Sequence, residues 1–538
     1  LLMAEGLVEP VGRASNVGRN PSINAMRFGG PLFAAILLVA SLSLTDIRQR
    51  GLLLETLYIV ACVEIAVIPW AIATAWFWQR TQFVGRSAVG PLVCLAMLIP
   101  LYLHCAGWEA GFGRLGWQTA LANRTGDPIL SKHFAVIWIH VMHAWGWGTA
   151  ILAVALRRID RTLEDAARME GNEWSVFYRI TLPQILPAVA IAVVWIGLLV
   201  AGEMTVTNIY IVRTFAEEVY THFSVSSSSW SAIIGVLPGT LAITSLAALA
   251  MAMVPARRFS TMPRPLSPTP SPWLGWIGGC FVWLSIGIVL GVPLANMLYK
   301  SGLTIHVESG HPHFQWSIEK LFGTLSKGVS TFRNEFSATA MLAAYTACAS
   351  VALGAILAWW LRLVPNLRWP VGLVLAGLLA TPAPIVGVLV IRLMNQPAIP
   401  FLTTLYDNTL TAPVLAIMAR TLPLATLICW QAFAAIPQPR LDLARIEGAN
   451  SWMLLARIAL PSCWPAILSS AFACAALAAG DLSCSILTLP PGVDTVAFRM
   501  FGFIHVGSDE QVCAIGLLSA AMFSLIAWPA WRWFEQRL

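Results

Sequence analysis

The chain has 538 residues, 58% of them hydrophobic and 11% charged, with a mean hydropathy of +0.73 and a formal net charge of +7. Soluble domains carry roughly 45–50% apolar and about 25% charged residues, so this composition excludes soluble, secreted and disordered classes and points into lipid. In such a chain positive residues set topology, and their excess is no sign of nucleic-acid binding.

At about 20 apolar residues per helical crossing, the first half offers runs at 29–45, 52–78, 90–106, 134–156, 185–204 and 230–254. The second offers 273–299, 334–361, 370–394, 412–434, 464–489 and 512–533. These runs are too long and continuous for barrel strands, which alternate over about 10 residues. The expected fold is an all-α integral membrane protein of about twelve transmembrane helices. Its expected divisions are a cytoplasmic tail (1–28), a first six-helix half (29–255), a linker (256–272) and a second six-helix half (273–538). The Pro- and Ser-rich stretch 260–272 suits a semi-extended connection. The polar stretch 1–24 reads as a tail rather than a signal peptide, because its apolar run starts only near residue 29.

Arginine sets the expected orientation. With the N-terminus inside, Arg80, Arg86, Arg157, Arg158, Arg161, Arg168 and Arg179 fall on the cytoplasmic side, as do Arg362, Arg368, Arg440, Arg445 and Arg457. Arg48, Arg50 and the four lysines fall outside, as exceptions outweighed by the arginine clusters. Both termini are therefore expected in the cytoplasm. The ten cysteines are scattered, without a CxxC or Cys/His cluster, so neither a disulfide framework nor a metal site is indicated.

An internal repeat carries the chemistry. DAARMEGNEWSVFYRITLPQILPA from Asp165 is echoed by DLARIEGANSWMLLARIALPSCWPA from Asp442. Asp165, Ala167, Arg168, Glu170 and Gly171 match Asp442, Ala444, Arg445, Glu447 and Gly448 at a spacing of 277. Trp174, Arg179, Leu182 and Pro183 match Trp452, Arg457, Leu460 and Pro461 at 278, so the first copy lacks one residue after its glycine. Acidic residues early in a short helix, a glycine turn and a second amphipathic stretch ended by Leu-Pro describe a knob that another protein can grip. An interfacial helix lying on the membrane is the plainer reading of one copy; duplication favours docking.

This pattern resembles the EAA loop of permeases from binding-protein-dependent ABC importers. Asp165, Ala166, Ala167, Glu170, Gly171, Leu182 and Pro183 fit it, and so do Asp442, Ala444, Glu447, Gly448, Leu460 and Pro461, with Asp for Glu in both copies and Leu443 for Ala. The resemblance implies the type I importer permease fold, in the fused two-half form found among ferric-iron and thiamine importers. It implies two copies of an ATPase subunit on the cytoplasmic side, an external substrate-binding protein, and a bacterial cytoplasmic membrane. No cofactor is expected on this chain; ATP and Mg belong to the partner ATPase. No lysine follows a glycine, so no P-loop exists and the chain is expected not to be an enzyme.

A second echo, Ala201-Gly202-Glu203-Met204 against Ala479-Gly480-Asp481-Leu482, places a carboxylate near the end of the fifth span of each half. Carboxylates at membrane depth face a bundle interior or a water-filled path. Glu203 and Asp481 are thus candidate pathway or gate residues, with interhelical hydrogen bonding as the alternative. His140 and His143 share a helix face but have no third ligand in view, which favours packing over metal binding. Glu55, Glu64 and Arg420 should face inward, with no partner evident, and the histidines of Ser309–His313 read as solvated surface. The expected cargo is ferric iron, then thiamine, then polyamine, sulfate or phosphonate. A gradient-driven twelve-helix transporter is the alternative from another class.

Overall fold

The computed structural model describes residues 34–114, 116–122, 128–157, 159, 161–225, 230–252, 272–308, 311–507 and 509–535. The expected tail, and the expected linker up to residue 271, lie outside the described residues.

The described chain is an all-helical membrane protein with one small exception. Eight helices are long and apolar enough to cross a bilayer singly: Ile47–Arg80, Lys132–Arg157, Glu173–Ala201, Pro272–Gly302, Arg333–Leu363, Thr411–Ala434, Ser451–Gly480 and Glu510–Trp528. Two shorter apolar helices, Ala34–Leu44 and Ile234–Leu246, fall in the first and sixth expected runs.

The third apolar run of each half differs from expectation. Both are helix pairs with a sharp bend, Arg86–Leu98 with Leu101–Leu121 at 95°, and Pro365–Ala380 with Ala383–Met394 at 106°. The cause is local. Pro100 and Pro382 push the residues before them, Ile99 and Thr381, out of the helical region to ψ of 117° and 125°. The described residues thus give eight single crossings, or up to ten when each bent pair counts as one. The exception to the all-helical plan is an antiparallel hairpin, Leu303–Glu308 with His311–Trp316. It occupies the stretch expected as solvated loop.

The chain gathers into two compact units, each drawn from both sequence halves. One comprises Leu1–Leu53, Val219–Arg258 and Ala340–Pro491. The other comprises Leu54–Glu218, Phe259–Thr339 and Gly492–Leu538. Each holds the body of one half together with the first and last apolar helices of the other.

The second unit is sealed by small residues. Gly107 and Gly111 line one face of Leu101–Phe112, where Val292–Gly302 approaches so closely that a Cβ on Gly107 would overlap Pro293. Asn296 uses that proximity, donating from Nδ2 to the Gly107 carbonyl at 3.1 Å. Without a hydrophobic drive between helices in lipid, such close backbone approach supplies the attraction. In the first unit, Thr411–Ala434 packs on Leu460–Gly480, and Trp359, Phe433, Leu441 and Leu454 share one apolar cluster.

Candidate functional site: two duplicated loops

Each repeat copy folds into the same succession of elements. In the first, the helix Arg161–Glu170 leads to Asn172, the short helix Glu173–Val176, a π-turn Phe177–Thr181 and the long helix Leu182–Ala201. In the second, Gln438–Ile446 leads to Asn450, Ser451–Leu454, a π-turn Leu455–Ala459 and Leu460–Gly480. Asn172 Oδ1 accepts from Ser175 N and Asn450 Oδ1 from Met453 N, both at 2.9 Å, so each second helix has an asparagine N-cap. The π-turns precede Pro183 and Pro461. A proline contributes no N–H to the helical ladder and crowds the carbonyl four residues back, which the widened turn relieves.

The missing residue has a structural meaning. In the second copy, Gly448 sits at φ 88°, with Gly448 N donating to the Arg445 carbonyl and Ala449 N to the Ala444 carbonyl. These bonds make a Schellman ending, which requires the left-handed backbone that glycine tolerates. The first copy lacks a residue matching Ala449, and Gly171 is not left-handed. The two glycines therefore turn the chain in different ways.

The motif's charged residues mostly brace the knobs. Arg168 reaches Asp165 at 2.6 Å and Glu173 at 3.0 Å, and Arg445 reaches Asp442 at 2.9 Å. Partial burial works against the Arg168 charge, yet Glu173, Glu164 and Asp165 outweigh it and hold the guanidinium above its ordinary value. Ala166, Glu170, Gly171, Glu447, Gly448 and Pro461 are exposed, while Ala167, Leu182, Pro183, Ala444 and Leu460 are half-buried. Large apolar side chains also stand in the open: Met169 is 90% exposed, Ile446 82%, and Trp174 and Trp452 57% each. Each polar loop thus carries uncovered apolar surface.

Three residues outside the motif reading complete the first loop. Glu164, buried, accepts from Arg80 Nη2 at 2.9 Å and from the Thr181 hydroxyl at 2.8 Å. No sequence signal pointed to Glu164, because its repeat mate is Leu441 and a search for matching positions passes over it. The asparagine caps were visible as an identity at a spacing of 278.

The two membrane carboxylates lie apart from the loops, and each folds onto the turn that follows it. Glu203 accepts from Thr205 N at 2.6 Å through Oε1 and from Val206 N at 3.1 Å through Oε2, with His140 Nε2 3.6 Å from Oε2. Asp481 Oδ2 accepts from Cys484 N at 3.0 Å and Ser485 N at 3.1 Å, with Arg420 as the cation acting on it. Each carboxylate thus caps the irregular backbone after its span and has a basic neighbour. His143 packs edge-on to His104 at 5.8 Å, and Glu64 lies against Gly197. Glu55 pairs with His133 at 2.7 Å. The His133 partner of Glu55, not evident in the sequence, comes from folding.

No family model matches the chain. It is similar to the molybdenum transport system permease protein ModB of Escherichia coli (strain K12), 26% identical over 199 residues that make up 33% of this chain and 81% of that protein. It is similar to the Fe(3+)-transport system permease protein FbpB 2 of Haemophilus influenzae, 24% identical over 191 residues, 34% of each. The maltose/maltodextrin transport system permease protein MalG of Vibrio parahaemolyticus is 23% identical over 147 residues, 27% of this chain and 47% of that protein. Over about a third of its length or less, this chain is thus similar to permease proteins of several different transport systems, and that similarity supports a permease of the binding-protein-dependent ABC type.

Proposed function

We propose that this chain is a fused permease of two homologous halves, joined by the linker at 256–272, that forms the solute pathway of an importer and draws its energy from two separate ATPase subunits. The observation that carries the reading is the pair of loops: the same helix, asparagine cap, π-turn and Leu-Pro helix occur twice, each with exposed apolar side chains. One ATPase subunit docks on each loop on the cytoplasmic side, a side for both loops and both termini that the arginine distribution supports. Asp165, Ala166, Ala167, Glu170 and Gly171, with Asp442, Ala444, Glu447 and Gly448, form the docking knobs. Leu182-Pro183 and Leu460-Pro461 join them to the spans. ATP binding would close the two subunits, move the knobs, and bias the bundle between two access states through differential contacts. Glu203 and Asp481 would serve beside the pathway by holding the irregular turns in shape.

The first proposed cargo is ferric iron, delivered by an external binding protein; the fused length and the Haemophilus influenzae relative support it. A second reading, a metal oxyanion, is favoured by the ModB relative, of which 81% is covered. The test is uptake of labelled ferric iron, molybdate and thiamine by cells with and without the gene, each under starvation for that solute. Selective loss of iron uptake supports the first cargo, and loss of molybdate uptake replaces it with the second. Thiamine loss alone rejects both cargoes but keeps the importer. Uptake that collapses with an uncoupler at constant ATP would overturn the importer reading in favour of a gradient-driven carrier.

A further inference from the structure

The two loops are anchored to their units by different physics. In the first, Glu164 is 1% exposed, and its pair with Arg80 gathers four elements. Arg80, the last residue of Ile47–Arg80, donates to it and, at 3.1 Å, to the Leu156 carbonyl near the end of Lys132–Arg157. Thr181, at the end of the π-turn, donates to the same oxygen. Loop helix, π-turn and two span ends thus meet at one ion pair.

The second loop keeps an arginine but has carbon side chains in place of the acid and the hydroxyl. Glu164 corresponds to Leu441, 1% exposed, and Thr181 to Ala459, fully buried. Both carbon side chains belong to the apolar cluster around Trp359 and Phe433. Arg362 stands 282 residues after Arg80, the spacing that also separates Pro100 from Pro382, and it donates instead to the Ile436 carbonyl at 2.7 Å. The acid and the hydroxyl are lost together, which is the pattern of one unit of design rather than two scattered changes.

We propose that Arg80, Glu164 and Thr181 form a polar pin that positions the first coupling loop on the ends of two spans, whereas Leu441 holds the second loop as an apolar plug. The inference rests on the reading of the loops as ATPase docking sites. Hydrogen bonds have direction, so the pin fixes the angle of the first loop helix. Apolar contact is non-directional, so the plug holds the second loop while leaving its angle freer. Neutralising Glu164 therefore loosens the first loop, because it takes the carboxylate charge from a buried guanidinium, and the second loop has no acid at that position. Arg80 and Glu164 are positioning residues: they act through the loop and not on the solute.

The test uses the whole chain with its ATPase and binding-protein partners in proteoliposomes, comparing wild type, Glu164→Gln, and Arg80→Met combined with Glu164→Leu. Two quantities are read, hydrogen exchange over 161–176 and 438–454, and solute moved per ATP hydrolysed. Glu164→Gln should raise exchange over 161–176 about tenfold or more and leave 438–454 unchanged. Solute moved per ATP should fall severalfold while both ATPase subunits stay bound. The double variant, which removes the buried acid and the buried cation together and puts carbon side chains in their place, should regain protection and part of the coupling ratio. If Glu164→Gln does not fold, the double variant alone decides, since a folded and protected double variant supports the anchor exchange and an unprotected one overturns it. Unchanged exchange and coupling in Glu164→Gln, or equal loosening of both loops, also overturns it. A wild-type chain that binds no ATPase subunit fails the functional reading instead, and the exchange data still judge the pin.

Discussion

At the scale of single residues, two glycines in the same motif make different demands. Gly448 lies in left-handed backbone with open space around it, so a side chain there meets no neighbour but forces a conformation that costs about 1–2 kcal/mol. Gly171 lacks that conformation, and a Cβ on it would meet Ser175 Cβ at 3.2 Å, a contact that a small shift relieves. Gly448→Ala should therefore lower the melting temperature in detergent more than Gly171→Ala does, and Gly448→Asn should recover part of the loss. Equal effects would contradict the Schellman assignment. Ile211 presents the opposite case, a β-branched residue at φ 56° and 86% exposed. Replacing it with glycine relieves about 1–2 kcal/mol of strain at the cost of some unfolded-chain entropy. The expected outcome is a higher melting temperature for Ile211→Gly; a lower one would show that the side chain is held by contacts worth more than the strain.

At the scale of elements, glycine placement separates a seam from a free face. Gly107→Ala drives a Cβ into Pro293, whereas a Cβ on Gly377, in Arg368–Ala380, meets nothing within 4 Å. Gly107→Ala should yield a chain that aggregates on size-exclusion chromatography while Gly377→Ala elutes as wild type; a monodisperse Gly107→Ala chain would sink this packing account. The asparagine caps allow a matched pair of tests. Asn172→Ala and Asn450→Ala should each cost about 1 kcal/mol, seen as faster exchange confined to 173–176 or 451–454. Much of this level was legible beforehand. The apolar runs located the helices, and the half-chain repeat located both loops, because identity at fixed spacing survives without knowledge of contacts. The bends at Pro100 and Pro382 were missed, since hydropathy records composition along the chain and not direction. Glu164 was missed because matching a repeat discards the positions where the copies differ. Asp481 and Arg420, which acts on it electrostatically, are 61 apart in sequence and come near one another only through folding.

At the scale of the molecule, the contact units and the sequence halves divide the chain differently. Each unit includes the first and last apolar helices of the opposite half. In the proposed fused form both contributions are present in equal number and the two loops are free to differ, as Glu164 and Thr181 differ from Leu441 and Ala459. The central claim is that this chain couples transport to a separate ATPase through two loops. The most direct measurement is solute entry into proteoliposomes holding the chain, its ATPase partner and its binding protein, with ATP and ionophores varied independently. The account predicts entry that requires ATP and binding protein, persists when ionophores collapse all ion gradients, and accompanies two ATPase subunits per chain. Entry driven by a proton or sodium gradient without ATP would contradict it.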